Sequence, residues 1–350
     1  MRWVKNRTLR RYWQDQKVPL ILLIFLGWAA SVCTFFLSLM TGWFFDLMYK
    51  EGISKSRLLS SFGIEISTLN QFYIAMALVI LLKLGLQYFE RIGIQVKAER
   101  FSADLIRRLF RKQIFWTPEL FQSVPFGKYL LRYSGDLQSI RTMLVNGIHR
   151  GIKESLFVGT GIFLLIYLNP TWSLVLLVGT ALIVPLVFIL DKMQEPLIVE
   201  KRKRKSQLLN FVTDAFAKHS SLTSEEKKNR VIRNFRSRNR SNLNASLNYQ
   251  NIESKRLALV SIIGPTLILS LLLSITLFPD SKGSPGELLA FLLVVGAMVP
   301  AFRNLIKAPN LITKGLLSLE KAERLMRKKT VIRSVSSDES SPKTRSLPLQ

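Results

Sequence analysis

The sequence predicts an all-α, polytopic membrane protein with six transmembrane helices and long cytoplasmic helical extensions. Three observations predict it. Val18 to Phe45 is a run of 28 residues without a formal charge, and Ser155 to Leu190 is another of 36; about 20 apolar residues wound as a helix cross the hydrocarbon core of a bilayer. The chain is 48% hydrophobic yet carries a net charge of +27, a pairing that makes sense when apolar and basic residues occupy separate segments. They do: 45 of the 50 Lys and Arg residues fall in segments 1–17, 91–153, 191–256 and 303–350, and 4 fall in the intervening non-membrane segments.

The spans are read at about Val18 to Phe45, Phe72 to Ile92, Gly151 to Leu168, Thr171 to Leu190, Leu257 to Leu277 and Glu287 to Ile306. The first is too long for the apolar core of a signal peptide, which is roughly 7 to 15 residues, so no cleavage is expected. Asn169-Pro170 divides the 36-residue run into two helices joined by a tight external turn, because proline cannot continue a helix it did not start. The sixth span has only 15 uncharged residues, Leu288 to Phe302, which puts Glu287 and Arg303 near the two interfaces, with Arg303 free to snorkel. The basic bias puts both termini in the cytoplasm, and an integral, multi-pass protein of a bacterial inner (plasma) membrane is expected. The inward-facing excess suits anionic lipid headgroups. Nucleic acid is not expected as a partner, since no aromatic residues interleave the bases on a soluble domain.

Three regions are delimited: a basic cytoplasmic N-terminus at 1–17, a six-helix membrane domain at 18–329, and a tail at 330–350 that lacks apolar periodicity and is expected to be disordered. Within the membrane domain, the internal connections 91–153 and 191–256 hold 63 and 66 residues, too many for simple loops. In the first, Phe101, Leu105 and Leu109 recur at helical spacing, flanked by Ile106, Phe110 and Ile114, and Pro118 and Pro125 break the helix. In the second, Leu208, Val212, Ala215 and Phe216 form a stripe that His219-Ser220-Ser221 interrupts. Thr223 with Glu226 fits a capping box that restarts the helix. Each connection reads as a helical hairpin with a short transverse element at its tip.

No catalytic constellation is visible, and the single cysteine, Cys33, excludes an intrachain disulfide. His149 and His219 lie in different segments without a ligand cluster and are expected to be interfacial or solvated, so no metal site is assigned. Gly159 and Gly161 are read as helix-packing residues, because Leu164 occupies the place of the third glycine of a dinucleotide fingerprint. Lys83 falls midway along the second span, where a charge costs at least ~2.5 kcal/mol and faces protein or a water-filled cavity. It is the candidate substrate-path residue, contacting an anionic substrate or an intramembrane partner; snorkelling or a structural pairing is the alternative. No second buried charge is expected beside it, with Asp46 and Glu287 at the external ends.

The layout, together with "RRLFRKQIFWTPELFQSVPFGKYLLRYSGDLQSI" and "SPGELLAFLLVVGAMVPAFRNLIKAPNLITKGLLSLEKAERLM", resembles the transmembrane domain of type I ABC exporters over about residues 18 to 329. The first string is similar to that family's first internal loop, with Gly127, Arg132 and Asp136 at its Gly, Arg and Asp; the second resembles the sixth span and its exit. The resemblance implies that the hairpin tips, near Phe126 to Gly135 and near Phe216 to Thr223, are coupling helices that dock into ATPase domains. Gly127, Arg132, Asp136, His219, Ser220 and Ser221 are the residues it assigns to coupling. The second tip departs from the pattern, with Lys218 and His219 to Ser221 where a glycine and branched apolar residues are common.

No phosphate-cradling loop accompanies the resemblance. Gly127-Lys128 has Gln122 in place of the first glycine and Tyr129 in place of the hydroxyl. No cofactor is therefore expected on this chain, with ATP and Mg on a partner nucleotide-binding ATPase subunit, and the chain is not expected to be an enzyme. The resemblance implies a permease subunit that forms a homodimer or a heterodimer with a related chain and moves an amphipathic substrate by alternating access. The alternative is a non-transporting scaffold or regulator on the same fold. An enzyme acting on lipids lacks the paired carboxylates or Ser/His cluster it would need.

Overall fold

The computed structural model describes residues 7–49, 69–119, 132–221, 223–278 and 284–327. Among them the chain is helical throughout, in seven elements: α1 (Arg7–Asp15), α2 (Lys17–Tyr49), α3 (Leu69–Ile114), α4 (Leu137–Leu168), α5 (Pro170–Ala217), α6 (Glu225–Leu277) and α7 (Pro285–Arg327). Five of them, α2, α3, α4, α6 and α7, are long and apolar enough to cross a membrane, and α5 contributes a shorter apolar stretch, Pro170–Gly179. The 330–350 tail lies outside the described residues.

Second span and amphipathic extension form one unbroken helix, α3, of 46 residues. The same holds for α5 and α6, with 48 and 53 residues. Each is thus about 70 to 80 Å long, more than twice the hydrocarbon thickness. The break between α4 and α5 is local chemistry. Asn169 is extended (φ −150°, ψ 105°), its side chain accepts the Trp172 N–H at 3.1 Å, and Pro170 takes the first helical position, where its missing N–H costs nothing. At the far end of α5, the cap of α6 is Ser224, which accepts the Lys227 N–H. This corrects the expected Thr223–Glu226 box by one residue: Ser224 has the extended backbone (φ −94°, ψ 147°) that a cap requires.

Three apolar clusters stack along the bundle. At one end Met40 and Phe72 join α2 to α3. In the middle, Phe35, Phe157, Trp172, Leu267, Leu271, Phe291 and Met298 bring together α2, α4, α5, α6 and α7. The cluster at the opposite end gathers Leu9 and Tyr12 of α1, Leu20 and Leu23 of α2, Ile94, Leu105 and Leu109 of α3, Ile140 and Met143 of α4, and Leu319 of α7. Its part below the membrane is water-exposed when unfolded, so burying Leu105 and Leu109 contributes the ordinary ~1.5–3 kcal/mol per side chain. In the membrane that drive is absent, and close packing replaces it. Thus α2 meets α7 where Gly42 has no side chain: a Cβ there would lie 2.4 Å from the Gly286 carbonyl oxygen.

The predicted Phe101–Leu105–Leu109 stripe faces this cluster, while Phe110 and Ile114 are exposed. Segment 1–17 is more than a basic tail, since α1 docks through Leu9 and Tyr12, the Tyr12 ring meeting Phe101 edge-on at 4.7 Å. Gly161 packs as expected, with Met298 and Phe35 within 2.8 Å of an ideal Cβ, but Gly159 faces open space.

Candidate functional site

Of the residues assigned to the first tip, Gly127 lies outside the described residues. Arg132 and Asp136 bound a single π-helical turn, Arg132–Asp136, that leads into α4. Asp136 Oδ1 accepts a hydrogen bond from Ser318 Oγ of α7 at 2.9 Å. Arg202 of α5 donates to the same Ser318 Oγ at 3.0 Å and to Ser139 Oγ of α4 at 3.2 Å. The exit of the first connection, the extension of the fourth span and the exit of the sixth are therefore tied at one point. Ser318 is fully buried there, which strengthens the bond it donates to Asp136 and the one it accepts from Arg202.

The second tip is built differently. α5 ends at Ala217, and His219–Ser221 forms one 3₁₀ turn, closed by the Ser221 hydroxyl and N–H donating to the Lys218 carbonyl at 2.7 and 3.0 Å. His219, Ser220 and Ser221 are all exposed, as is Phe216 at 73%. An aromatic ring held in water at a hairpin tip, with polar groups around it, has the form of a docking knob rather than a core residue.

Lys83 is half-buried on α3, within electrostatic reach of Cys33 on α2. It is not the only buried charge near the membrane, which corrects the expectation. Glu90, two turns further along α3, is 3% exposed and lies 2.9 Å from His149 Nε2, with Lys153 Nζ at 3.3 Å. His149, expected at an interface or in water, is instead 4% exposed. Its helix passes through a π stretch, Met143–His149, that turns the ring toward α3; a π register rotates side chains away from the ordinary helical faces, which periodicity does not anticipate. Glu154 of the same helix accepts from Asn304 Nδ2 of α7 at 3.1 Å.

A second buried knot joins α5, α6 and α7. The Arg256 guanidinium of α6, 2% exposed, donates to Asp191 Oδ1 of α5 at 2.9 Å, to Glu253 Oε1 at 3.0 Å and to the Ile306 carbonyl of α7 at 3.3 Å. Gln194 donates to Glu253 and accepts from Asn310 of α7. Burial pushes Asp191 above its ordinary carboxylate value even against Arg256. Burial also raises Glu253, but hydrogen bonds from Gln194 and Arg256 with the Arg256 charge outweigh it and leave it lowered. Sequence reading missed both knots because Glu90, Asp191 and Arg256 sit at span ends, where a charge looks solvated. Their pairing across 59 to 65 residues leaves no local signal.

Chemically, the arrangement is a machine of levers and latches. Among the described residues no three His, Cys, Asp or Glu side chains form a metal-binding group. What the residues do is tie long helices to one another at the ends of their apolar segments. That architecture agrees with comparison. The model of one known family, described as ABC transporter transmembrane region, matches residues 20–302, and no nucleotide-binding domain is matched in these 350 residues. No curated protein matches the chain. With five helices long and apolar enough to cross a membrane, a sixth that carries a shorter apolar stretch, and a family match over residues 20–302, the chain belongs to the ABC transporter transmembrane regions.

Proposed function

We propose that this chain is the permease subunit of an ATP-driven ABC exporter, working as a homodimer or a heterodimer with a related chain. ATP and Mg would be bound by a partner nucleotide-binding subunit, and an amphipathic cargo would cross by alternating access. The observation that carries this reading is the Asp136–Ser318–Arg202 junction. A push on the first tip arrives at Asp136 one π turn later and is delivered at once to the fourth, sixth and third spans, because a buried hydrogen-bonded junction moves as a unit.

Two further observations support the reading. The apolar window of α3 is only 6% buried within the chain, and Tyr73, Leu81, Leu84 and Phe89 stand exposed along it, an area that lipid and a second transmembrane chain would cover. The exposed Phe216 offers the second tip an apolar group for a groove on the ATPase.

The test is co-purification in detergent followed by reconstitution. Recovery of an ATPase polypeptide whose turnover responds to Arg132 or Asp136 substitution supports transport. An associated ATPase indifferent to both, with no vesicle uptake, would leave the non-transporting scaffold in its place.

A further inference from the structure

Below the Arg256 knot, α4, α5, α6 and α7 enclose a second polar space that the coupling reading does not use. It is a cavity of about 240 Å³ lined by Gly135, Asp136, Ser139, Ile198, Lys201, Arg202, Lys205, Ser206, Tyr249, Lys314 and Lys321. Five cations and one carboxylate share this wall. Asp136 accepts from Ser318, whose oxygen also receives Arg202, and its single negative charge stands against the five cations of the lining. Glu253, bonded by Arg256 and Gln194, also attracts Lys201 and Lys314, which still leaves the cations in excess.

The lysines are drawn together rather than spread apart. Lys201 Nζ lies 4.3 Å from the centroid of the Tyr249 ring, and Lys314 Nζ is 5.0 Å from that centroid while donating to the Tyr249 hydroxyl at 2.9 Å. Tyr249 is 6% exposed, so one buried ring carries two ammonium groups. Burial, followed by repulsion from Lys314 and Lys205, pulls Lys201 below its ordinary value, with Glu253 only partly offsetting them. A protein keeps like charges this close where an anion completes the site, since cation–π contact alone returns about 0.5–2 kcal/mol and does not cancel mutual repulsion.

We propose that this cavity is a binding site for a phosphomonoester-bearing anion, held by Lys201, Lys205 and Lys314 with the Ser206 hydroxyl as a further donor. A phosphate group offers three strong acceptor oxygens and close to two negative charges at neutral pH, matching several point-charge donors converging on one space. Gly135 leaves the approach open, since a Cβ there would meet nothing within 4 Å. Lys201 lies ten residues beyond Asp191 on α5, about 15 Å below the inner end of the fourth span. The anion would therefore pin α5, α6 and α7 on the cytoplasmic side, independently of whether the chain moves cargo. Its source is either a soluble phosphate compound or the headgroup of a lipid drawn down along α5.

The experiment uses the full chain in phosphatidylcholine nanodiscs, titrated calorimetrically with inorganic pyrophosphate. Saturable binding is expected. K201Q/K314Q, which removes two of the three charged contacts, should weaken it at least about tenfold. K307Q, which removes an exposed charge from the same α7 helix, should leave it within about twofold, as screened surface charges do. Should K201Q/K314Q fail to fold, K205E at the exposed rim reverses a charge without emptying the core, and K201R keeps the charge and should retain binding. Nanodiscs doped with phosphatidic acid separate the sources. If the doped lipid raises the apparent pyrophosphate constant in wild type but not in K205E, the ligand is a headgroup; if it leaves it unchanged, the ligand is soluble. Non-saturating binding, or equal losses in K307Q and K201Q/K314Q, would overturn the proposal.

Discussion

Glu90 and His149 face each other at 2.9 Å with both side chains 5% exposed, across the seam between α3 and α4. Neither helix could slide past the other without parting them. Lys153, 17% exposed, adds a cation from the solvent side of the same carboxylate at 3.3 Å, so the knot holds its acid between two donors. A latch of this kind sets the second and third spans in one register.

Removing the acid should therefore be costly. Glu90→Gln leaves two donors without their charge partner and should destabilise by about 3 kcal/mol, as breaking one side of a buried pair does. A fall of several degrees in the thermal unfolding midpoint in detergent is the readout. A midpoint within error of wild type would show that the pair contributes no net stability.

Close helix approach gives a sharper contrast. Gly42→Ala puts a Cβ 2.4 Å from a backbone carbonyl that cannot rotate away, and 2.6 Å from Ala290 Cβ. It should destabilise by about 1–3 kcal/mol through overpacking. Gly159→Ala meets nothing within 4 Å, so it should be neutral or slightly stabilising, since alanine is the better helix former. Parallel unfolding curves for the two variants decide the matter.

The junction at Asp136 makes a prediction that separates coupling from folding. Asp136→Asn keeps an acceptor for Ser318 and removes the charge beside Arg202. Stability should fall by no more than about 1 kcal/mol, while cargo-stimulated turnover of an associated ATPase drops severalfold. A large loss of fold with intact specific turnover would assign Asp136 a purely structural role.

The lysine cluster predicts an unusual alkaline trend. Because the folded value of Lys201 lies below its unfolded 10.5, the unfolded chain binds more protons between the two, and stability rises with pH across that window. In phosphate-free buffer the unfolding midpoint should climb as pH approaches 10.5 from neutrality. The climb should flatten in Lys201→Gln. An identical rise in that variant would remove Lys201 as its cause.

Helical membrane character was legible in charge-free runs, because hydrocarbon demands an internally bonded backbone and tolerates few charges. The Asn169-Pro170 turn was legible for the same local reason: cap and proline act on their own neighbours. The Phe101–Leu105–Leu109 face could be read from spacing, and Leu105 and Leu109 are indeed buried. The cap at Ser224 was misread by one position, since Thr223 and Ser224 carry the same hydroxyl and only backbone geometry distinguishes them.

By itself, then, the sequence determined which segments are apolar, where they stop, which side is basic and which family pattern the chain follows. Only the tertiary structure decided which polar groups share a space: Glu90 with His149, Arg256 with Asp191, and Lys201 with Lys314 around Tyr249. The physical reason is distance along the chain. Periodicity reports a side chain's face on its own helix, whereas partners 48 or more residues apart meet only when long helices lie side by side, and a π turn can redirect them on the way.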